Sequence, residues 1–337
     1  MKVIEACVVV SAAAALAACT SGMAAQGAAA SPASVEAHVA AARQAAGRDL
    51  GALFALCKPA SPTQMTPEQV DRYLTSQIAL PAPPPGQAFD NLYFVGGAWV
   101  SAWALTTSQG ILLIDALDNQ TEASTLIEGG LRRLGLDPAR IKVIVVTHGH
   151  GDHYGGVPYL VDRTQARVVM SEPDWTMTET KLDFESTLWP PPPRRDISVV
   201  DGEKVRLGDT TVTIHLTPGH TVGTVSPTFE VRDATGVHRV LLWGGTSFNF
   251  GRKFDRLDAY IDSVAQTAEL VEREKIDVLI SNHAGFDGAI EKLERRRVAG
   301  PGAPNPFVMG TPAVLRALTV MGECAKAQRD RYLSSPG

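Results

Sequence analysis

The spacing of hydrophobic positions along this chain changes near residue 91. Before that point, residues 35–57 (VEAHVAAARQAAGRDLGALFALC) combine helical spacing with strong helix formers and predict one helix. A second, shorter helix is predicted over TPEQVDRYLTSQ, where Thr66 precedes Pro67 as an N-cap residue does. After residue 91, apolar runs separated by glycine-containing turns (LYFVGG, WVSAWALTT and GILLIDAL) predict strands.

From residue 120 onward, predicted strands and helices alternate. In the first half, helices over TEASTLIEGGLRRLG, GGVPYLVDRT and EPDWTMTETK flank the strands IKVIVVTH and ARVVMS. The second half repeats the scheme, with strands through DISVVDGEKVRLGDTTVTIHLTPGH, VSPTFEVRD and HRVLLWGG, a helix over DAYIDSVAQTAELVEREK, the strand DVLISNH and a C-terminal helix. Strands followed by helices in each half predict an α+β fold, an αβ/βα sandwich of two mixed β-sheets flanked by helices. We expect a single domain over residues 35–337.

The first 25 residues have the features of an export signal, because a basic residue is followed by a short apolar run and then by small residues. Within this signal peptide, Leu16-Ala17-Ala18-Cys19 resembles a lipobox, in which Cys19 is lipidated. The alternative is ordinary cleavage near Ala24 or Ala25. Residues 26–34 are predicted to be a flexible tether. The expected location is therefore the periplasm, with a possible lipid anchor to a membrane.

Composition and charge narrow the class of partner. The 337-residue chain is 45% hydrophobic and 20% charged, with a formal net charge of −5, which is typical of a globular protein. Because its basic residues form no stripe, nucleic acid is not an expected partner. A small-molecule substrate is expected, and a monomer is favoured although the sequence does not fix the oligomeric state.

The cysteines can be reduced to one candidate pair. Of four in the chain, Cys7 leaves with the signal and Cys19 would carry the lipid, so that Cys57 and Cys324 remain. In an oxidising compartment these two can form a disulfide. Two separately buried thiols are the alternative, because the sequence does not give the distance between the side chains.

Histidines are concentrated after three apolar strands. The segment VIVVTHGHGDHYGG places three histidines and one aspartate within six positions, and LTPGH and LISNH each end in another histidine. Since every group follows a strand, we expect the side chains to project along one edge of the sandwich. The six candidate metal ligands are His148, His150, Asp152, His153, His220 and His283.

These residue types favour a catalytic metal site. Imidazole nitrogens with one carboxylate are typical of catalytic Zn²⁺, whereas structural zinc sites favour thiolates and a closed coordination sphere. No cysteine lies near these segments, so we expect an open position for water. The other three histidines are not predicted as ligands: His38 and His238 are expected to face solvent, and His215 to be a strand surface residue rather than a partner of a ligand.

With these residues in view, THGHGDHYGG, TPGHT and SNH resemble the metallo-β-lactamase superfamily, from Asn91 to the C-terminus. Most members carry an aspartate that bridges two metals. It follows a strand that lies in sequence between the fourth and the last of the ligand histidines. Here HRVLLWGGTSFNFG offers no carboxylate over 244–247. Subclass B3 β-lactamases similarly lack the bridging aspartate, so the chain resembles them in this feature. The same feature argues against the lactonases, glyoxalase II-like enzymes and nucleases of the superfamily.

The resemblance implies a function and the residues that carry it. It implies a zinc-dependent β-lactamase that opens penicillins, cephalosporins and carbapenems through a zinc-bound hydroxide oriented by Asp152. It further implies two Zn²⁺ ions, the first held by His148, His150 and His220 and the second by Asp152, His153 and His283. The same resemblance makes VGGAWVSAW and the residues Thr246, Ser247 and Asn249 the expected pocket walls.

Two alternatives remain beside this interpretation. The same fold and metal site could act on another ester or lactone, such as an acyl-homoserine lactone. A non-catalytic zinc-binding lipoprotein is disfavoured, because it would need a closed coordination sphere. Gly151 stands where relatives often carry a bulkier residue, and the loop LDFESTLWPPPPRRD does not align, so substrate preference stays open.

Overall fold

Two β-sheets form the centre of the protein in the computed structural model, which describes residues 32–299 and 302–334. Seven strands pair in the order β1-β2-β3-β4-β5-β6-β7, and five pair in the order β12-β11-β10-β9-β8. Both sheets are mixed, because β4 to β7 and the pair β11 and β12 run parallel while their other neighbours are antiparallel. The strands are β1 Gly86–Phe89, β2 Leu92–Phe94, β3 Trp103–Thr107, β4 Gly110–Ile114, β5 Ile141–Val145, β6 Arg167–Ser171, β7 Ile197–Val199, β8 Lys204–Leu207, β9 Thr210–Thr213, β10 Thr228–Asp233, β11 Gly236–Trp243 and β12 Val278–Ser281.

The helices lie before, between and after these strands. Two of them are extended by other helical turns: Ala55–Cys57 follows α2 as a 3₁₀ turn, and a π-helical turn, Ala123–Glu128, joins α4 to α5. The helices are α1 Pro32–Ala46, α2 Gly51–Phe54, α3 Pro67–Ile78, α4 Gln120–Glu122, α5 Gly129–Arg133, α6 Gly151–Tyr154, α7 Val157–Thr164, α8 Glu172–Thr180, α9 Phe254–Glu274, α10 Ala284–Asp287, α11 Ala289–Ala299 and α12 Thr311–Ser334.

Three buried clusters show how these elements are layered. Side chains from both sheets, such as Trp103 and Leu242, meet in a core between them. A second core lies between the five-stranded sheet and α1, α9 and α12, and includes Tyr260 and Leu318. A third lies on the outer face of the seven-stranded sheet, where Ile144 belongs to the same cluster as residues of α7 and α8. The predicted sandwich of two mixed sheets flanked by helices is confirmed.

Hydrogen bonds between the two sheets bring several strand ends to one edge. The backbone N–H of Val225 donates to the oxygen of Thr147 (2.9 Å), and that of Ser101 donates to the oxygen of Asn282 (2.9 Å). Val100 also forms an isolated bridge with His283. The loops that follow β5 and β12 and the segment that precedes β10 are therefore fixed beside one another.

The N-terminal part differs from the prediction in two ways. The helix predicted over 35–57 is split, because Gly47 takes a left-handed φ of 56° and ends α1 before α2 begins. The tether predicted over 26–34 is too long, since α1 already begins at Pro32. The signal peptide, Cys19 and residues 26–31 lie outside the described residues. Within the described ranges, no helix combines the length and apolarity needed to cross a membrane.

The sequence did not predict the short helices α6 and α10, nor the two further elements β1 and α11. β1 precedes the expected first strand and pairs with β2, where Gly86 lies opposite Phe94. α11 covers a strongly charged segment with weak helical patterning, but Ala289 and Leu293 from it reach the core between the sheets. The contact with β1, which only the folded chain brings near, stabilises this helix.

The N-terminal helices are covalently joined to the C-terminal helix. A disulfide links Cys57, in the 3₁₀ turn after α2, to Cys324 in α12, and both residues are buried in the core beside α1 and α9. The remaining cysteine alternative, two separate thiols, does not apply to this structure. The bridge closes a loop of 267 residues, so that it constrains the unfolded chain.

Loss of this bridge is expected to destabilise the protein. The double variant Cys57→Ala/Cys324→Ala should lower the free energy of unfolding by about 2–4 kcal/mol, measured by urea denaturation. Wild-type protein under reducing conditions should lose a similar amount, and the double variant should not respond to the reductant. Equal stability of the wild type with and without reductant would contradict a bridge in the folded protein.

Candidate metal centre

Three histidine nitrogens converge where the loops after β5 and before β10 meet. His148 Nε2 lies 3.1 Å from His150 Nδ1 and 3.1 Å from His220 Nε2. His148 and His150 follow β5 directly, whereas His220 is 72 residues further along the chain. All three side chains are buried, and their ligand atoms lie within 4.8 Å of one another.

The hydrogen bonds of these rings show where their protons are. His148 Nδ1 donates to the backbone oxygen of Gly244 (2.7 Å), and His220 Nδ1 donates to that of Ser247 (2.8 Å). Because a carbonyl oxygen only accepts, both Nδ1 atoms carry the proton, and the two Nε2 atoms face each other with lone pairs. Burial and nearby histidines hold the pKa of both rings well below the ordinary value, so they stay neutral. Converging lone pairs of this kind can hold a cation between them.

A second group lies beside the first. Asp152 Oδ2 is 3.2 Å from His153 Nε2 and 3.6 Å from His283 Nε2, and the two imidazole nitrogens are 3.3 Å apart. His283 Nδ1 donates to the backbone oxygen of Trp99 (3.3 Å), which again leaves Nε2 free for a ligand. The structure thus brings together all six residues that the sequence proposed, in two adjacent groups.

In the second group, Asp152 and His153 each favour the charged form of the other. Burial raises the pKa of the Asp152 carboxyl, but His153, His283 and His150 outweigh it and hold that pKa below its usual range. Burial lowers the pKa of His153, but Asp152 and Asp115 raise it to about 10. A bound cation would take the place of that proton, since metal ligation requires neutral imidazole.

Asp115 is a residue of this centre that the sequence reasoning missed. It follows β4, and its carboxylate accepts hydrogen bonds from His153 Nδ1 (2.8 Å), the Thr147 N–H (2.7 Å) and the Thr147 hydroxyl (2.8 Å). Its backbone has a φ of 62°, a strained conformation for a residue other than glycine. Asp115 therefore fixes both the ring of a ligand and the loop that carries the histidines. An acidic residue directly after the buried strand GILLI was the available signal.

Asp174 in α8 joins the two ligand-bearing loops. Its carboxylate accepts from the Gly149 N–H (2.8 Å), the Gly223 N–H (2.7 Å) and the Thr221 hydroxyl (2.7 Å). It is fully buried, and burial raises the pKa of its carboxyl while these donors oppose the shift. No sequence signal marked Asp174, because its partners are distant in sequence.

Asp183 and Arg256 lie against the outer side of the first group. Asp183 Oδ2 is 3.6 Å from His150 Nε2 and 3.1 Å from Arg256 Nη2. Arg256, in α9, also donates to the backbone oxygens of Gly219 (2.6 Å) and His220. Asp183 belongs to the loop that could not be aligned. This loop therefore supplies a carboxylate that faces a metal ligand from outside the centre.

Close packing explains why no carboxylate follows β11. A Cβ atom on Gly244 would lie 1.9 Å from the Val225 backbone oxygen, and one on Gly245 would lie 2.6 Å from His220 Cβ. The Thr246 hydroxyl is buried 3.4 Å from Ser281 Oγ, and Thr246 does not line the cavity over the metal ligands. Thr246 lines instead a neighbouring cavity, together with residues of α2, β12 and α10, and its role as a wall of the substrate pocket stays a prediction.

A cavity of about 430 Å³ opens over both groups of ligands. Ser247, Asn249 and Trp99 line it, as expected from the sequence. Its roof comes from α3 and the loop after α8, which no sequence pattern placed there. The lining is mostly apolar and aromatic, and none of the described lining residues is lysine or arginine; the aromatic members are Tyr73, Trp99, Phe184, Trp189 and Phe286.

The three histidines outside the centre only partly match expectation. His215 is half-buried and lies 2.9 Å from the Thr228 hydroxyl, away from the metal ligands. His38 and His238 were expected to face solvent, which is wrong. His38 lies 2.6 Å from Glu323 and His238 lies 2.7 Å from Asp277, because helix and strand packing brings carboxylates to them.

Comparison with known proteins agrees with this geometry. The family model described as the metallo-beta-lactamase superfamily matches residues 96–283. Among solved structures, a subclass B3 metallo-β-lactamase of Bradyrhizobium japonicum is 31% identical, with a TM-score of 0.59 over 70% of this chain and 90% of that one. A metallo-β-lactamase of Legionella gormanii is 25% identical, with a TM-score of 0.60 over 71% of this chain and 93% of that one.

Curated relatives have other activities. A hydroxyacylglutathione hydrolase of Cereibacter sphaeroides is 30% identical over 129 residues, which are 38% of this chain and 45% of that relative. An acyl-coenzyme A thioesterase of Gallus gallus is 25% identical over 225 residues, which are 60% of this chain and 78% of that relative. The chain thus spans less than half the length of the hydroxyacylglutathione hydrolase that it matches.

Proposed function

Because this chain belongs to the metallo-β-lactamase superfamily, we propose that it is a zinc-dependent hydrolase that opens the amide bond of β-lactams. The observation that carries the proposal is that two ligand groups lie side by side without a bridging carboxylate. The turn after β11, where relatives carry that carboxylate, is too tightly packed to accept one. The 31% identity to a subclass B3 metallo-β-lactamase supports the same substrate class.

The residues present fit two zinc ions. Five imidazole nitrogens and one carboxylate oxygen face inward, and this donor set suits Zn²⁺ better than Mg²⁺ or Ca²⁺, which prefer oxygen ligands. His148, His150 and His220 would hold the first ion, and Asp152, His153 and His283 the second. When bound, zinc supplies Lewis acidity and lowers the pKa of water.

The side chains around the ligands have definable roles. Asp152, whose carboxylate faces both groups, would orient the attacking water. The carboxylate of a β-lactam lies next to the nitrogen that leaves, and Ser247 and Asn249 supply polar groups in the cavity beside His220. Asn249 Oδ1 is buried without a hydrogen-bond partner, which leaves it available to a substrate donor.

The second candidate is hydrolysis of another ester, thioester or lactone by the same centre. The names of the curated relatives favour a thioester. Against it, coenzyme A carries several negative charges and glutathione two carboxylates, whereas a β-lactam carries one carboxylate and no lysine or arginine is among the described residues that line the cavity. A neutral lactone, such as an acyl-homoserine lactone, carries no negative charge and is compatible with this lining.

We further propose that the enzyme acts in the periplasm. The export signal over residues 1–25 and the lipobox ending at Cys19 support a periplasmic enzyme, with a lipid anchor as part of the proposal. β-Lactams act on the cell wall, so a hydrolase in that compartment meets them before they reach their targets.

A direct assay separates the two candidates. Purified, zinc-loaded protein should hydrolyse a chromogenic cephalosporin, a penicillin and a carbapenem. Inhibitors that acylate a serine should not slow it, because the proposal contains no serine nucleophile. His220→Ala is the matched inactive control. Intact β-lactams together with turnover of a homoserine lactone or a glutathione thioester would replace the proposal with the second candidate.

A further inference from the structure

Gly151 interrupts the histidine motif at a position where the folded chain has no space for a side chain. A Cβ atom at this position would lie 2.0 Å from Cδ2 and 2.3 Å from Cγ of Trp189. These distances are far below van der Waals contact with a rigid ring. A side chain at 151 and the observed position of Trp189 therefore exclude each other.

Trp189 is held in this position by a buried partner. Its indole N–H donates to Asp118 Oδ1 (2.9 Å), and Asp118 is only 2% exposed. The backbone N–H of Asp118 in turn donates to Glu122 Oε2 (3.2 Å). Burial and the nearby Asp152 raise the pKa of the Asp118 carboxyl. The ring is thus fixed both by contact with the motif and by a directed hydrogen bond.

The loop around Trp189 is also fastened to α3. Asp71, on α3, accepts hydrogen bonds from the Ser186 hydroxyl (2.5 Å) and the Thr187 hydroxyl (2.6 Å). Trp189 and Phe184 pack in one cluster with Val70 of the same helix. The loop and α3 therefore form one roof, and Trp189 is the part of it that lies against the metal-binding motif.

We infer that Trp189, seated over Gly151, is a specificity-determining wall that selects substrates with an uncharged aromatic substituent on the acyl group. This inference rests on the proposed function. The cavity beside Trp189 is lined by the aromatic side chains of Tyr73 and Phe184, and no lysine or arginine is among its described lining residues. Aromatic groups gain from contact with aromatic side chains, whereas an anionic substituent has no cationic partner among these residues.

Kinetics with two penicillins test the wall. Benzylpenicillin carries a phenyl group on its acyl substituent, and 6-aminopenicillanic acid lacks the acyl group. Trp189→Ala should raise KM for benzylpenicillin about tenfold with little change in kcat, and should change KM for 6-aminopenicillanic acid less than about twofold. Trp189→Phe should restore most of the preference. An equal rise in KM for both substrates would overturn the inference.

A substitution at Gly151 is a second test, because a side chain there and the observed position of the Trp189 ring exclude each other. Gly151→Ala should reproduce the phenotype of Trp189→Ala, because its methyl group displaces the indole. The double variant should be no worse than Trp189→Ala alone, so additive effects would contradict the seating. Gly51→Ala is the matched control, since a Cβ there meets nothing within 4 Å. Zinc content, measured for each variant, should stay at the wild-type level.

A fluorescence measurement separates failure of the inference from failure of the proposed function. The emission that Trp189→Phe removes identifies the Trp189 signal among the five tryptophans. In Gly151→Ala this signal should become more accessible to acrylamide, whatever the substrate is. An unchanged accessibility refutes the seating of Trp189. A changed accessibility in a protein that hydrolyses neither penicillin refutes the proposed function, and the β-lactam specificity with it.

Discussion

Exhaustive dialysis of the purified protein against a chelator is expected to abolish hydrolysis, and added Zn²⁺ is expected to restore it. Without a cation, the lone pairs of His148 Nε2 and His220 Nε2 face each other at 3.1 Å and repel. The proposed nucleophile is water activated by zinc, so removal of the metal removes the nucleophile. Thermal unfolding should shift to lower temperature in the dialysed protein, because a ligand that binds only the folded state stabilises it.

Magnesium serves as the control for this experiment, since the imidazole-rich donor set disfavours it and Mg²⁺ should not restore activity. Elemental analysis should find about two zinc ions per chain before dialysis. Removal of one donor from the first group, by His220→Ala, should lower that stoichiometry. Undiminished activity in protein shown to contain no metal would contradict the interpretation of all six residues as ligands.

Replacement of Asp152 by asparagine is expected to lower kcat by at least about 100-fold while leaving the fold intact. Loss even of residues that only support a metal ligand typically costs 10–100-fold, and the Asp152 oxygen is itself within 3.2 Å and 3.6 Å of two imidazole nitrogens. The asparagine side chain has the same shape but lacks the negative charge. The second metal position should therefore bind zinc more weakly, and the attacking water should lose its orientation.

The matched control for this substitution is His215→Ala. His215 is half-buried, and its Nε2 lies near the Thr228 hydroxyl rather than a metal ligand, so kcat should change less than about twofold. Both variants should be measured for kcat, zinc content and thermal unfolding. Wild-type turnover by Asp152→Asn would show that Asp152 does not have the role proposed for it.

The metal ligands were predictable because each of them is marked locally. His148, His150, Asp152 and His153 lie within six positions, and His220 and His283 end the short segments LTPGH and LISNH, so that residue type and spacing indicated the chemistry. The strand expected to run directly into His220 is not observed, because β9 ends at Thr213. The two sheets were predictable for a related reason. Alternating apolar runs and helical segments show which faces must be buried, and burial of apolar surface is the main driving force of folding.

The supporting residues were not predictable, because each acts on partners far away in the sequence. Asp115 reaches His153 across 38 positions, and Asp174 reaches Gly223 across 49. The only local signal for Asp115 was its position directly after the strand GILLI, and an aspartate in such a position, or at the start of a helix like Asp174, has many ordinary explanations. The cap at Thr66, by contrast, was predictable because all its partners lie within three residues.

The sequence by itself thus predicted the two sheets and the six candidate metal ligands, and it has no carboxylate over 244–247. Only the tertiary structure decided that Thr246 lines a neighbouring cavity, that Asp183 approaches His150, and that Trp189 occupies the space over Gly151. Periodicity and local motifs report on neighbours within a few residues, where the backbone fixes the geometry. The shape of the cavity depends instead on how segments distant in sequence pack together. Because protein interiors are close-packed, these contacts are defined only once the chain has folded.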